Sequence, residues 1–329
     1  MIKILLLGIG RWGANHLRVL HSLPVELYVS DVQRAQLEKA HQLGIPEDRL
    51  SIEPMALADR VEAAVIATPA QAHFDLARDL MEAGKDVFVE KPITLVSEQA
   101  RQLALLAERR QRILQVGHIF RFDPASLWLR EAIRQSHFGH VRMLRGNFSG
   151  FKRPRNDSGV AFADAIHFID LFNFLLDTIP RRVSAVMQDF LGRGLDDATV
   201  ISLEYPHDQG NTWAMIETNY FEPGKSREVV VIGSDLSAVC DYNVAQYKIR
   251  TFQNRHLRSG DHFQAQEGVV RQIECPPEEP LLAELRAFLQ SVRTREAPCA
   301  DGWDGYESVH ILEAAMESAR RGATIEIRK

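Results

Sequence analysis

Short apolar runs and amphipathic stretches alternate over the first 120 residues of the chain. Apolar runs of strand length occur at 4–7, 26–30, 63–67, 86–89 and 113–117. Between them, apolar residues recur at helical spacing over 14–20, 32–43, 74–83 and 97–110. Strands that alternate with helices of this length predict a parallel, doubly wound sheet.

The pattern changes after Gly117, where runs suited to strands follow one another with few helices between them. Strands are predicted at 141–150, 182–190, 198–205, 211–220, 228–233, 237–242, 246–252, 269–274 and 324–327. Helices are predicted at 123–135, 159–176, 280–293 and 304–320. Consecutive strands are typical of a mainly antiparallel sheet, so the fold class is α/β with a second, α+β domain.

The length of 329 residues favours two domains, which we place at residues 1–120 and 121–329. This division leaves open that the C-terminal helices pack back on the first domain. The polar stretch 253–268 is predicted to be a long loop, in which His256 and His262 are solvated rather than ligands.

Composition narrows the classes of partner. The formal net charge of −5 argues against nucleic acid or an anionic membrane surface. The three scattered cysteines match neither a disulfide framework nor a zinc pattern, and they fit a reducing cytosol. The N-terminal apolar run is too short for a signal peptide, and no stretch approaches the ~20 apolar residues of a transmembrane helix. We therefore expect a cytoplasmic protein that binds no metal, nucleic acid or membrane.

The motif Gly8-Ile9-Gly10-Arg11-Trp12-Gly13 lies between the first predicted strand and the first predicted helix. In this context Gly8 permits a tight turn, Gly10 lets the backbone approach a pyrophosphate, and Gly13 lets the helix pack closely on the strand. The start of the helix offers N–H groups to phosphates. The alternative is a structural turn that binds nothing, and the motif favours a dinucleotide over it.

Asp31 follows the second predicted strand. A carboxylate at this point can accept hydrogen bonds from both hydroxyls of the adenosine ribose, and it repels a 2′-phosphate. Asp31 therefore predicts NAD as the cofactor, with NADP less favoured.

Lys91 comes just after the strand 86–89, at the sheet edge that lines the ligand crevice of an open α/β fold. A cation there can stabilise alkoxide charge, or transfer a proton if burial lowers its pKa. A surface lysine paired with Glu90 is an equally good interpretation of position alone.

Asp164 and His167 are three residues apart on the predicted helix 159–176, so they share a face. His167 is a candidate acid or base, and Asp164 is a candidate to orient it or to bind a substrate hydroxyl. Without further information, a histidine with a purely structural role is the more common case. The preceding loop carries Lys152, Arg153 and Arg155, which suit an anionic substrate group or are merely solvated.

Several of these motifs occur together in one known family. They are the glycine motif, Ala67-Thr68-Pro69 with His73, Glu90-Lys91-Pro92, Gly117-His118 with Arg121, Phe122 and Pro124, and the helix with Asp164 and His167. In these the chain resembles the glucose-fructose oxidoreductase / inositol dehydrogenase / rhizopine-catabolism (Gfo/Idh/MocA) family over nearly its whole length. The resemblance implies a Rossmann domain and a second domain with a large open-faced sheet, through which members often form dimers or tetramers.

The resemblance also implies roles for particular residues. Lys91 contacts both nicotinamide and substrate, with the Lys91–Pro92 bond often cis, and His167 is the usual acid/base residue. The family aspartate commonly lies at the position of Ala163, and here Asp164 comes one residue later. We assign the cofactor site to the glycine motif with Asp31, Thr68, Pro69, His73, Glu90 and Lys91. We assign the substrate site to Lys91, Arg121, Lys152, Arg153, Asp164 and His167, of which Lys91, Asp164 and His167 are the catalytic residues.

The leading hypothesis is an NAD-dependent oxidoreductase that acts on a secondary alcohol or ketone of a sugar, cyclitol or nucleotide-linked sugar, as a homodimer or homotetramer. One alternative is a glycosidase of the same fold that oxidises its substrate only transiently and consumes no net NAD. Another is a non-catalytic NAD-binding regulator, which fits if Lys91 or His167 is remote from the nicotinamide.

Overall fold

The computed structural model describes residues 1–155, 157–207 and 210–327. The chain forms two compact units. The first unit contains Met1–Phe122 and Glu279–Val309, and the second contains Asp123–Glu278 and the chain from His310 onward. The predicted domain boundary after residue 120 stays a prediction.

The first unit contains a six-stranded sheet in the order β3-β2-β1-β4-β5-β6. Its strands are β1 Ile2–Leu7, β2 Val25–Ser30, β3 Leu50–Ser51, β4 Ala63–Ile66, β5 Asp86–Glu90 and β6 Leu114–Gly117. Every neighbouring pair is parallel, which confirms the predicted doubly wound sheet. The order reverses between β1 and β4, so the crevice that binds ligands in such sheets lies beside the residues that follow these two strands.

Four helices connect these strands in the predicted alternation. They are α1 Gly13–Ser22, α2 Arg34–Gln42, α3 His73–Glu82 and α4 Ser97–Arg110. Residues Ile4 to Leu7 of β1 are at most 1% exposed, as expected for a strand that is covered on both faces.

Two helices lie near the C-terminus, α7 Pro280–Thr294 and α8 Gly302–Arg321. Helix α7 belongs to the first unit, where Leu285 and Phe288 join the core of the parallel sheet. The Phe88 and Phe288 rings meet edge to face with their centroids 5.8 Å apart. A segment far along the sequence therefore covers part of the first sheet.

The second unit contains a nine-stranded sheet in the order β16-β13-β12-β11-β7-β10-β9-β8-β17. Its strands are β7 Val141–Gly150, β8 Arg182–Gln188, β9 Ala198–Tyr205, β10 Thr212–Asn219, β11 Lys225–Gly233, β12 Ser237–Asp241, β13 Ile249–Phe252, β16 Val270–Ile273 and β17 Ile325–Glu326. Among the strand pairs of this sheet in the described residues, β7 with β10 is the one parallel pair, so the predicted, mainly antiparallel sheet is confirmed.

One face of this sheet is packed against helices. The second unit contributes α5 Pro124–Arg134 and α6 Ile166–Leu176, and α6 is buried along almost its whole length. Alternate residues Ile201, Leu203 and Tyr205 of β9 are 0% exposed and form part of this inner face. The Tyr205 hydroxyl donates to Asn173 Oδ1 of α6 at 2.8 Å. The opposite, outer face exposes Val186, Val200 and Trp213 by 62%, 43% and 48%.

Helix α6 lies close to the sheet because β7 carries glycine where the helix crosses it. A Cβ on Gly146 would lie 2.5 Å from Cδ2 of Phe168, which is closer than any real contact. The helix is also preceded by a π-helical turn, Ala161–Ala165, which the sequence pattern did not predict. Single π-helical turns of this kind occur frequently at functional sites.

The prediction of a long loop over residues 253–268 was wrong. This stretch contains a β-hairpin, β14 Arg255–Ser259 and β15 His262–Gln266. All ten strand residues are exposed, so they show no alternation of apolar and polar positions. Both His256 and His262 lie on these exposed strands. Within the described residues, no helix is long and apolar enough to cross a membrane.

Candidate active site

The glycine motif connects β1 to α1 as predicted. Gly8 has φ +83°, and a Cβ there would lie 3.0 Å from the Ala67 carbonyl oxygen. A Cβ on Gly13 would lie 2.0 Å from the Gly8 carbonyl oxygen. Only glycine fits either position, because one has a left-handed backbone and both are tightly packed.

Gly10 differs from the other two glycines of the motif. A Cβ at Gly10 would meet no atom within 4 Å, so its side faces open space. The fold itself does not require glycine there, and the open space suits the close approach of a cofactor's pyrophosphate. The residues of the loop therefore fit a dinucleotide.

Asp31 follows β2 and contacts the glycine loop directly. Its Oδ2 accepts a hydrogen bond from the Ile9 backbone N–H at 2.8 Å, and its Oδ1 accepts one from the Gln33 N–H at 2.8 Å. Each carboxylate oxygen still has lone-pair capacity for another donor. This placement is compatible with the predicted contact to the ribose hydroxyls.

The segment after β4 carries Thr68, Pro69 and His73. The His73 ring is 1% exposed and lies 2.8 Å from the Pro92 carbonyl oxygen and 2.9 Å from the Thr68 carbonyl oxygen. His73 thus joins the segment after β4 to the segment after β5. The Thr68 hydroxyl is buried and makes no hydrogen bond to a described residue, so it is available to a polar ligand.

Glu90 ends β5 and is held by two residues of the first βα unit. Its Oε1 accepts hydrogen bonds from Trp12 Nε1 at 2.6 Å and from His16 Nε2 at 2.7 Å. Its Oε2 accepts the Lys91 backbone N–H at 3.2 Å. We call Trp12, His16 and Glu90 the Glu90 cradle.

The Glu90 cradle sets the charge state of the carboxylate. Burial alone would raise the pKa of Glu90, but the hydrogen bonds and positive charges around it outweigh burial, and its pKa is lowered. Glu90 is therefore a carboxylate at neutral pH, and it directly precedes Lys91, the predicted catalytic residue. The Lys91–Pro92 bond is cis, as the resemblance implied.

Two further residues of the predicted motifs, His118 and Arg121, follow β6 and are buried. Burial lowers the pKa of His118 to about 3, and the nearby Arg121 adds to the effect, so His118 is neutral. Arg121 is 4% exposed, and it donates to the Cys299 carbonyl oxygen at 2.7 Å and to Asp304 at 2.9 Å. The structure thus places Arg121 in an internal ion pair, and its assignment as a substrate contact stays a prediction.

The second unit holds the other predicted catalytic residues around one aromatic ring. His167 is stacked on Phe148 with centroids 5.4 Å apart and an interplanar angle of 15°. Asp164 is 6% exposed and accepts a hydrogen bond from Lys152 Nζ at 2.6 Å. Lys152 Nζ also lies 4.9 Å from the centre of the Phe148 ring.

The other cations of the predicted basic loop are arranged differently. Arg155 makes a two-point contact with Asp157, at 2.9 and 2.7 Å. Arg153 is exposed.

The sequence analysis did not identify several residues around these sites. They are His16, the contact of Trp12 with Glu90, and two cations of β11, Lys225 and Arg227.

The comparisons with known families cover almost the whole chain. Residues 2–118 match the oxidoreductase family model described as a NAD-binding Rossmann fold. Residues 130–327 match the model of that family's C-terminal alpha/beta domain.

Individual relatives agree with these matches. The chain is 32% identical over 285 residues to inositol 2-dehydrogenase of Rhizobium meliloti (strain 1021), covering 84% of each protein. It is 25% identical over 339 residues to inositol 2-dehydrogenase 2 of Saccharopolyspora erythraea, covering 99% of this chain and 95% of that one. In fold it is similar to the structure of UDP-N-acetylglucosamine 3-dehydrogenase from Acidithiobacillus ferrooxidans, with a TM-score of 0.81, 24% identity, and 97% and 98% of the two chains covered.

Proposed function

The chain belongs to the Gfo/Idh/MocA oxidoreductase family, and on that premise we propose that it is an NAD-dependent dehydrogenase for a secondary alcohol of a cyclitol or sugar. One observation carries the proposal. Lys91 follows the buried Glu90, and Glu90 is hydrogen-bonded to Trp12 of the glycine loop, so the candidate catalytic cation is fixed beside the cofactor loop.

The cofactor would be held by the open side of Gly10, the Thr68 hydroxyl and Asp31. NAD supplies the hydride acceptor or donor when it is bound. We propose that NAD is preferred to NADP, because a 2′-phosphate would bring its negative charge beside the Asp31 carboxylate.

Oxidation of a secondary alcohol also releases the hydroxyl proton, and this step falls to the protein's own residues. We assign proton transfer to His167, whose stacking on Phe148 fixes its ring plane. The Lys91 ammonium stabilises the negative charge that develops on the oxygen as the proton leaves. Asp164 is assigned to a substrate hydroxyl, because its hydrogen bond with Lys152 holds the side chain oxygens at that position.

The assembly and compartment are also proposals. Exposed apolar side chains on the outer face of the nine-stranded sheet, among them Val186 and Trp213, favour a homodimer or homotetramer that covers this face. We propose a cytoplasmic location from the scattered cysteines.

The test is a screen of cyclitols, sugars and nucleotide sugars for a change in NADH absorbance with the purified protein. We expect turnover of at least one, with kcat reduced about 10²–10⁴-fold in Lys91→Ala and His167→Ala, and with NAD still bound. Lys91→Arg should not restore activity, because a guanidinium differs in shape and does not release its proton.

Two results would count against this assignment. Release of a free sugar without net NADH would point to the glycosidase alternative. NAD binding without turnover, in a protein unaffected by Lys91→Ala, would point to a regulator.

A further inference from the structure

Two cations on β11 lie at the end of the inner face of the second sheet. Lys225 and Arg227 alternate with residues that point to the opposite face, and they continue the row formed by Val229 and Val231. Both valines are 0% exposed, whereas Arg227 is half-buried and Lys225 is exposed. The buried row thus ends in two positive charges.

The cations share an aromatic ring with the proposed acid/base residue. Arg227 is paired in register with Phe148 of β7, and its Cζ lies 4.6 Å from the centre of that ring. Lys152 Nζ lies 4.9 Å from the same centre, and His167 is stacked on the ring at 5.4 Å. Arg227 and His167 therefore contact the same ring, and the Arg227 Cζ lies at most about 10 Å from the centre of the His167 ring.

The described acidic residues near these cations already have other partners, although the charge of Asp164 also acts on Arg227. Asp164 is paired with Lys152 at 2.6 Å. Glu228 alternates to the other face and pairs with Arg145 at 3.0 Å, and Glu222 accepts a hydrogen bond from Asn147 at 3.2 Å.

The cations without an acidic partner lie on β11. Among the described residues, neither Lys225 nor Arg227 has an ion-pair partner, and the buried Arg227 Nε has no hydrogen-bond acceptor. Burial lowers the pKa of Arg227, and the adjacent Arg227 charge is the main cause that lowers the pKa of Lys225. The site therefore offers N–H donors that no acceptor among the described residues uses.

We propose that Lys225 and Arg227 bind a compact anionic group of the substrate, a carboxylate or a phosphate, close to the carbon that carries the reacting hydroxyl. A guanidinium suits both groups because its planar fork can donate two hydrogen bonds at once. We place the group close to that carbon because Arg227 and His167 both contact the Phe148 ring. This inference rests on the proposed function for the role of His167, and it assigns to β11 the anion contact that the sequence suggested for Lys152, Arg153 and Arg155.

The experiment measures anion binding without turnover, with NAD at saturation so that the glycine loop is occupied. Inorganic phosphate, glucuronate, glucose 6-phosphate and neutral myo-inositol are titrated by calorimetry into the parent protein, Arg227→Ala and Lys225→Ala. The matched control is Arg145→Ala, which removes a cation from the outer face of the same sheet. Circular dichroism establishes that each variant is folded, and the exposed Lys225 gives a variant that does not disturb the core.

We expect an anion to bind the parent and to bind about 10- to 100-fold more weakly after Arg227→Ala or Lys225→Ala, with no change in Arg145→Ala. Preference for glucuronate or for glucose 6-phosphate distinguishes a carboxylate from a phosphate. Equal anion affinity in the parent and Arg227→Ala overturns the inference. Turnover of neutral cyclitols with no anion binding also overturns it, while leaving the dehydrogenase proposal intact. Anion binding that depends on Arg227, in a protein that oxidises no alcohol, supports the subsite and removes the proposed function.

Discussion

The Glu90 cradle can be tested by removing one of its donors. His16 is 0% exposed, and its Nε2 donates to Glu90 Oε1 at 2.7 Å. His16→Leu deletes this donor and leaves a side chain of similar volume beside Phe88, whose ring centroid is 5.5 Å from that of His16. His16→Gln is the matched control, because its amide can place an N–H near the position of Nε2.

The expected cost follows from the burial of the carboxylate. A hydrogen bond to a charged group contributes about 1.5–3 kcal/mol, and a buried charge that loses a donor is not compensated by water. Trp12 Nε1 still donates to the same oxygen, so the carboxylate keeps one partner there. We therefore expect a loss of about 1.5–3 kcal/mol, equivalent to roughly 3–12 °C in Tm for a unit of this size.

The pH dependence has a definite sign. The folded pKa of Glu90 is lowered from 4.5, so its stabilising contribution is present above about pH 4.5 and is lost as the pH falls through the lower folded value. In His16→Leu the burial of Glu90 persists while a main cause of the lowering is absent, so the folded pKa rises. The difference in stability between parent and variant should therefore be largest at neutral pH and shrink below about pH 4.5.

The assay is urea unfolding of the NAD-free protein at pH 7.5 and pH 4, followed by near-UV circular dichroism. His16→Gln should recover most of the lost stability at pH 7.5. A destabilisation below about 0.5 kcal/mol, or one of equal size at both pH values, would refute the view that His16 supports an ionised Glu90.

Three further predictions concern the cofactor loop and the assembly. Gly10→Ala should fold normally but bind NAD more weakly, because its Cβ enters open space, whereas Gly13→Ala should be unstable, because its Cβ would lie 2.0 Å from the Gly8 oxygen; thermal melts and NADH fluorescence titration separate the two effects. Asp31→Ala should narrow the preference for NAD over NADP in the same titration, and parent protein that binds NADP as tightly as NAD contradicts the assignment. Trp213→Glu on the outer sheet face should yield a smaller species by light scattering, and a monomeric parent at micromolar concentration contradicts the proposed assembly.

The parallel sheet could be predicted in detail because its signals are local. The five predicted strands are largely buried apolar runs, whereas the short β3, Leu50–Ser51, is half-buried and was not predicted. Gly8, Gly13 and Asp31 have positions dictated by the turn between β1 and α1 and by the end of β2. The contact of His16 with Glu90 could not be predicted in the same way. It joins residues 74 positions apart, and it depends on how helix α1 lies over β5.

The sequence pattern failed to predict the hairpin β14–β15 for a different reason. With every strand residue exposed, hydrophobic alternation carries no information about these strands. The informative signal was the two-residue Gly260-Asp261 connection, since Gly-Asp between short runs is typical of a tight hairpin. Gly260 has φ +63°, the conformation for which glycine is favoured there.

The hairpin also needs an anchor, because an isolated two-stranded hairpin is at best marginally stable in water. Phe252 of β13 pairs with Val270 of β16, and the Gln253 N–H donates to the Val269 carbonyl oxygen at 3.1 Å. The Gly268 N–H then donates to Asn254 Oδ1 at 3.1 Å. The main sheet therefore holds the two ends of the hairpin together, which removes much of the entropic cost of its closure.

The motifs that carry the family resemblance also have a structural explanation. Gly117 ends β6 where a Cβ would lie 3.0 Å from the Glu90 carboxylate, so glycine there makes room for the Glu90 side chain. Arg121 donates a hydrogen bond to Asp304 at 2.9 Å. His118 stays uncharged because burial lowers its pKa. Gly117 is paired in register with Glu90, and the charges of Lys91 and Glu90 both act on His118. These motif residues can therefore be explained by the room and the charge that they provide around Glu90 and Lys91, while the substrate contact assigned to Arg121 stays a prediction.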